Sequence, residues 1–226
     1  MLKTIRDAVS DLRDGSPALP VAPEVWPLEN IAVDEQTDRF RTNLETVAGE
    51  VVFCNDLAEA ASRVVQLLES TDSRRLAVLD RPLSRAMAER LEAEYPGRRE
   101  LTFAPSTAAE VSAESLAFLD ASVVSPERLL CDTGSCLFAT PTPFDRLITY
   151  IAPLSIVIAS RSMLRENLPQ VWAELKGDLE TAQTGEFVIV TGPSRTADIE
   201  KILILGVHGP KRFVVFLVEE YTTACQ

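Results

Sequence analysis

The stretch TGPSRTADIEKILILGVHGP, residues 191–210, gathers the groups of this chain best suited to chemistry. It lies between two apolar runs, EFVIV (186–190) and RFVVFLV (212–218). Thr191, Gly192, Pro193 and Ser194 read as a tight loop after a strand. A helix is expected next, with Ser194 or Thr196 as its N-cap. The first N–H groups of a helix lack partners and favour an anion. Arg195 adds a planar guanidinium suited to carboxylate or phosphate. In a parallel sheet such a loop lies at the carboxyl edge, where ligands bind. The same residues also fit a plain connection, with Ser194 or Thr196 capping the helix and Arg195 paired with Asp198 or Glu200. His208, the single histidine, follows Gly206, a candidate helix stop. It fits a loop imidazole bonded to backbone. If it titrates near neutrality it can serve as acid or base.

A second stretch, CDTGSC (131–136), reads as the tip of a hairpin. With Thr133 and Gly134 as the turn, Asp132 pairs with Ser135 and Cys131 faces Cys136. Cross-strand neighbours come close enough for a strained disulfide. A reduced, buried pair is the alternative, and it suits a cytosolic chain. The small tip at Gly134 and Ser135 also lets a ligand approach the backbone. No HExxH, P-loop or GxGxxG pattern occurs, and no catalytic triad is visible.

The elements that must hold these loops alternate. Residues 1–14 read as a short amphipathic helix, with Leu2, Ile5, Val9 and Leu12 at helical spacing. Residues 15–37 hold four prolines and read as an extended arm, anchored by Val25 and Trp26. The expected division is therefore a helix and proline-rich arm over 1–37, then an α/β domain over 38–226. Helices are expected at 39–49, 55–70, 82–95, 107–122 and 162–182, the last kinked or split at Pro169. Asp56 and Glu59 mark the second of these as a capping-box variant. Strands are expected at 50–54, 75–80, 99–104, 154–159, 186–190 and 212–218, with a hairpin over 126–141. Apolar strands between amphipathic helices imply parallel βαβ units covered on both faces. One sheet of about seven strands, mixed by the hairpin, is the economical architecture.

Composition narrows the function. The chain has 226 residues, 46% apolar and 25% charged, with a formal net charge of −12. Such a surface repels phosphate backbones, so nucleic acid is not an expected partner. The four cysteines, Cys54, Cys131, Cys136 and Cys225, are scattered and form no CxxC, so no intrinsic metal or iron–sulfur site is expected. The N-terminus is charged and unlike a signal peptide. No window reaches the apolar length of a membrane span. A cytoplasmic protein with reduced thiols is the expectation.

Beyond these physical readings, TGPSRTADIEKILILGVHGPKRFVVFLV resembles the C-terminal signature of the lactate-utilization protein C (LutC/YkgG) family of LUD-domain proteins. CDTGSCLFATP resembles the same family's upstream hairpin element. The resemblance covers roughly residues 120–220. It implies a NagB/RpiA/CoA-transferase-like fold, an α/β sheet, mixed but mostly parallel, with flanking helices. It also implies a cytosolic system that oxidises L-lactate to pyruvate with iron–sulfur partner proteins, which carry the clusters. The motif residues it marks are Thr133, Gly134, Ser135, Gly192, Pro193, Ser194, Arg195, Thr196, Asp198, Glu200, Gly206, His208, Gly209 and Pro210. Ser135 stands where threonine is more usual, and Cys136 replaces a commonly aliphatic residue. Three functions remain open. The first is a subunit of the lactate system that binds a small carboxylate or phosphate-containing ligand, chiefly through Arg195. The second is a stand-alone isomerase or acyl/CoA-transferase-like enzyme using His208, Asp198 or Glu200. The third is an interaction protein docking through residues 15–37.

Overall fold

A computed structural model describes residues 28–97, 100–103, 118–179, 186–197, 203–205, 209–219 and 221. The chain enters through helix α1 (Val33–Thr46) and continues through β1 (Glu50–Cys54), α2 (Leu57–Ser70), β2 (Arg75–Val78), α3 (Pro82–Glu94) and β3 (Glu100–Phe103). Then follow β4 (Ala121–Val124), the hairpin β5 (Arg128–Leu130) and β6 (Ser135–Thr140), α4 (Pro143–Ile148) and β7 (Leu154–Ser160). A 3-10 turn leads to β8 (Leu164–Arg165), α5 (Leu168–Leu179), β9 (Glu186–Val190), β10 (Arg195–Ala197), β11 (Leu203–Leu205) and β12 (Arg212–Val218).

Local chemistry starts the helices where the sequence places them. The Asp56 carboxylate accepts the Glu59 N–H at 2.8 Å and caps α2. Glu59 in turn accepts the Asn55 N–H at 2.9 Å. In α2, Leu57, Ala60, Ala61, Val64, Val65 and Leu68 form one buried stripe at helical spacing. Pro82 opens α3, where its missing N–H costs nothing. Thr142 and Asp145 form a full capping box around Pro143 at the start of α4, a helix the sequence signals did not single out.

Six strands form a sheet in the order β1-β12-β7-β4-β2-β3, and every pair in it is parallel. Its central strands are apolar runs because both faces are covered. The period of two sorts each run into two cores. Ile156, Ile158, Val214, Phe216 and Val218 face α2 and α3. Val157, Ala159, Phe213, Val215 and Leu217 face Phe40 and Leu44 of α1, the hairpin and α4.

A separate four-stranded sheet, β8-β5-β6-β9, lies over that second core. Leu129, Cys136 and Phe138 point into it. Leu130 and Leu137, on the opposite face, meet Val171 and Leu175 of α5. The molecule is thus layered as helices, parallel sheet, second sheet with α1 and α4, and α5.

The structure corrects several sequence expectations. The sheet is not one but, among the described residues, three, the third being the antiparallel pair β10–β11. Residues 162–182 are not one helix: β8 precedes α5, and Pro169 sits in its first turn, where proline fits. Residues 121–122, the end of the expected helix over 107–122, belong instead to the short strand β4, whose ASVV follows a helix-like pattern in the sequence. Helix α1 begins at Val33 rather than 39. Residues 1–27, which contain the expected N-terminal helix and most of the arm, and the expected helix at 107–122 up to residue 117, lie outside the described residues. No helix among the described residues is long and apolar enough to cross a membrane.

Candidate functional site

Four strands of the parallel sheet end at one crevice. The chain leaves β2 at Arg81–Leu83, β4 at Ser125–Arg128, β7 at Ser162–Met163 and β12 toward Tyr221, and these segments line a pocket of about 370 Å³. In a parallel α/β sheet the carboxyl edge is where ligands bind. Arg81, Arg128 and Arg165 line it, against one lining carboxylate, Glu127. This is a positive site in a chain of net charge −12.

The arginines are held in a ladder. Arg81 Nε lies 3.4 Å from Glu127 Oε1, without hydrogen-bond alignment, while its Nη2 donates to the Ala139 carbonyl at 2.9 Å. Arg128 Nη1 donates to the Glu127 carbonyl at 2.7 Å. Arg128 Nε and Arg165 Nε both reach the Glu174 carboxylate, at 3.3 and 2.6 Å. Burial alone would raise the Glu174 pKa, but Arg165 and then Arg128 outweigh it and hold the carboxyl below its ordinary value. These contacts engage Nε and Nη1 of Arg128 and Arg165, and a guanidinium has five donors, so N–H groups remain on both. Ser125, which is buried, adds a hydroxyl. The N-terminus of α3 has no side-chain cap and opens at Pro82 on the same crevice. None of these residues carries a sequence motif. The signal that could have found them is positional: each follows a strand of the parallel sheet.

The described motif residues Thr133, Gly134, Ser135 and Gly192 meet elsewhere, around the far end of β5. Leu130 pairs with Ser135, and Leu129 with Cys136. Cys131 therefore does not face Cys136, and the expected two-residue turn is replaced by a loop over 131–134. The reason is competition for the backbone. Cys131 and Asp132 donate their N–H groups to the carbonyls of Arg165 and Glu166. Asn43 Nδ2 binds the carbonyls of Cys131 and Asp132 at 2.8 and 3.0 Å. Both cysteines are free thiols, as is Cys54.

Gly134 has φ +67°, and a Cβ there would lie 2.3 Å from the Leu44 backbone nitrogen. Gly192 has φ +78°, and its Cβ would lie 3.0 Å from Val47 Cγ2. Both glycines thus let their loops close on the end of α1. A hydroxyl chain ties the loops together. Ser135 Oγ lies 2.7 Å from Thr191 Oγ1 and donates to Thr133 Oγ1 at 2.8 Å. Thr133 Oγ1 reaches Asp132 Oδ1 at 3.2 Å. Desolvation pushes the Asp132 pKa upward. The same packing logic joins Ser194 to the loop before β12. Its N–H donates to the Pro210 carbonyl at 2.8 Å, and a Cβ on Gly209 would lie 2.9 Å from Ser194 Cβ.

The helix expected to begin after Ser194 does not begin there among the described residues. Arg195 and Thr196 lie on strand β10, paired with Leu205 and Ile204, so neither Ser194 nor Thr196 caps a helix. Nor does the loop at 191–194 sit at the parallel sheet's carboxyl edge. It follows β9, which runs antiparallel to β6 in the second sheet. Arg195 is exposed. Asp198, Glu200, Gly206 and His208 lie outside the described residues. Among the described residues no cluster of three or more His, Cys, Asp or Glu gathers that could hold a metal ion.

A family model for the LUD domain matches residues 37–218. The chain belongs to the LUD domain family. The LUD chain is 31% identical over 103 residues to the uncharacterized protein YkgG of Escherichia coli K12, covering 43% of each sequence. It is 29% identical over 101 residues to lactate utilization protein C of Bacillus pumilus, covering 44% of this chain and 42% of that protein. For the Bacillus subtilis protein of the same name the identity is 27% over 96 residues, covering 42% and 40%. The matched region thus spans well under half the length of these relatives. Among solved structures, a DUF162 family protein from Deinococcus radiodurans superposes with a TM-score of 0.60 at 14% identity, over 83% of this chain and 99% of that one. At that identity the likeness concerns the fold.

Proposed function

We propose that this LUD-domain chain is the anion-binding component of a cytoplasmic system that oxidises L-lactate to pyruvate. The observation that carries the proposal is the pocket of Arg81, Arg128 and Arg165 at the carboxyl edge of the parallel sheet. The names of its relatives, lactate utilization protein C, supply the metabolic setting. The pocket, rather than Arg195 on its exposed strand, holds the ligand, a small carboxylate or a phosphate-containing molecule. Lactate oxidation releases two electrons and two protons. Iron–sulfur partner proteins receive the electrons, and the chain itself has no intrinsic cofactor.

The test is genetic and direct. A host strain lacking this chain should lose L-lactate consumption, and the wild-type gene should restore it. Arg128→Gln should restore it only weakly, and Arg195→Ala fully. Undiminished lactate consumption in the deletion strain would remove the chain from that system.

One observation favours a second reading, a stand-alone isomerase or acyl/CoA-transferase-like enzyme. Glu127 is the carboxylate lining the same pocket, and a carboxylate beside bound substrate is a candidate base or nucleophile. Turnover of any acyl or sugar substrate by the isolated chain, lost in Glu127→Gln, would establish it.

A further inference from the structure

We infer that the arginine pocket takes a phosphate monoester with an organic body, not lactate itself. This rests on the proposal that the pocket is the ligand site, and adds the class of ligand. Size is the first argument. A three-carbon hydroxy acid fills on the order of 100 Å³, a few times a water's ~30 Å³ share of the liquid. The pocket offers about 370 Å³, within the range of sites that enclose whole metabolites. Lactate alone would leave most of it to solvent.

Charge is the second. The lining carries three guanidiniums and one carboxylate. Glu174, behind Arg128 and Arg165, offsets part of that excess. The uncapped N-terminus of α3 restores about half a charge. A monocarboxylate supplies one negative charge, whereas a phosphate monoester supplies about 1.5 to 2 at neutral pH. The N–H groups left on Arg128 and Arg165 can donate charge-assisted bonds to phosphoryl oxygens, and Ser125 and Ser162 bring hydroxyls to the lining.

The third argument is the rest of the wall. Pro82, Leu83, Pro126 and Met163 line the same pocket. A bare anion has no use for them, whereas the organic body of an ester would pack against them. The phosphoryl group then faces the arginine ladder, and the body lies toward Leu83 and Met163.

Thermal denaturation of the full chain decides the matter, with phenyl phosphate, inorganic phosphate, succinate and L-lactate compared at equal ionic strength. The expected result is tightest binding of phenyl phosphate, at least tenfold tighter than L-lactate. At about ten times its Kd it should raise Tm by roughly 3–6 °C. That rise should vanish in Arg128→Gln and persist in Arg195→Gln. If Arg128→Gln does not fold, Arg128→Lys serves, since it keeps the charge and loses the fork. Succinate or L-lactate binding as tightly as phenyl phosphate, with the same loss in the Arg128 variant, would overturn the phosphate class and leave the pocket standing. Equal binding of inorganic phosphate would remove the organic body from the inference. A rise unchanged in both Arg128 variants, or no rise with any anion, would overturn the pocket itself.

Discussion

Single residues show why motif and site part company. Gly134, Gly192, Thr133 and Ser135, which stand out in the sequence, pack against the end of α1 or bond within their own loops. Gly134 has φ +67° and lies against the backbone of Leu44, so Gly134→Ala must move α1 or strain the turn. Equilibrium urea unfolding should show a loss of about 2–4 kcal/mol, the range for a side chain forced into a positive-φ, closely packed position. Arg195→Ala, on an exposed strand position, should stay within about 0.5 kcal/mol of wild type. Glu174 carries a pH signature. Its pKa is held below the ordinary 4.5 by Arg165 and Arg128, against burial, which alone would raise it. A depressed carboxylate binds its proton more readily in the unfolded chain. Its contribution to stability is therefore full above about 4.5 and is lost as the pH falls through the lower folded value. Glu174→Gln should flatten the stability-versus-pH curve in that acidic window, as read from Tm between pH 6 and pH 3.

Capping signals were local, and local signals were legible. Asp56 with Glu59 starts α2, and Pro82 opens α3, as their sequences imply. Register was not legible, because it depends on what else the backbone can bind. The N–H groups of Cys131 and Asp132 go to Arg165 and Glu166, which no pattern in CDTGSC announces. That shift places Cys136 opposite Leu129 and removes the geometry for a Cys131–Cys136 disulfide. Desolvation pushes the thiols of Cys54 and Cys131 up to about 11 and that of Cys136 higher still. Few thiolates therefore exist at pH 8. Native protein at that pH should leave these three unmodified by a thiol-reactive disulfide reagent, while denatured protein exposes them. Mass spectrometry of alkylated peptides after mild oxidation should find no Cys131–Cys136 link.

At the scale of the molecule, the second sheet makes the site. It lays Arg128 and Arg165 over the carboxyl edge of the parallel sheet and seals the core between the two with Phe138, which is fully buried. Phe138→Ala should cost about 3–5 kcal/mol, a large share of a stability of about 5–15 kcal/mol, and should lower the urea midpoint. The α/β class, the parallel strands as apolar runs, several helix starts and the family can be read from the sequence. These rest on periodicity, capping and a long motif, all properties of neighbouring residues. Only long-range pairing fixes that EFVIV joins a second sheet, that Arg195 sits on a strand rather than at a helix start, and that Arg81 after β2, Arg128 on β5 and Arg165 on β8 share one pocket. Those outcomes depend on pairings between segments far apart in the chain. Hydrophobic pattern specifies which face of a strand is buried, but not which distant strand will satisfy its backbone.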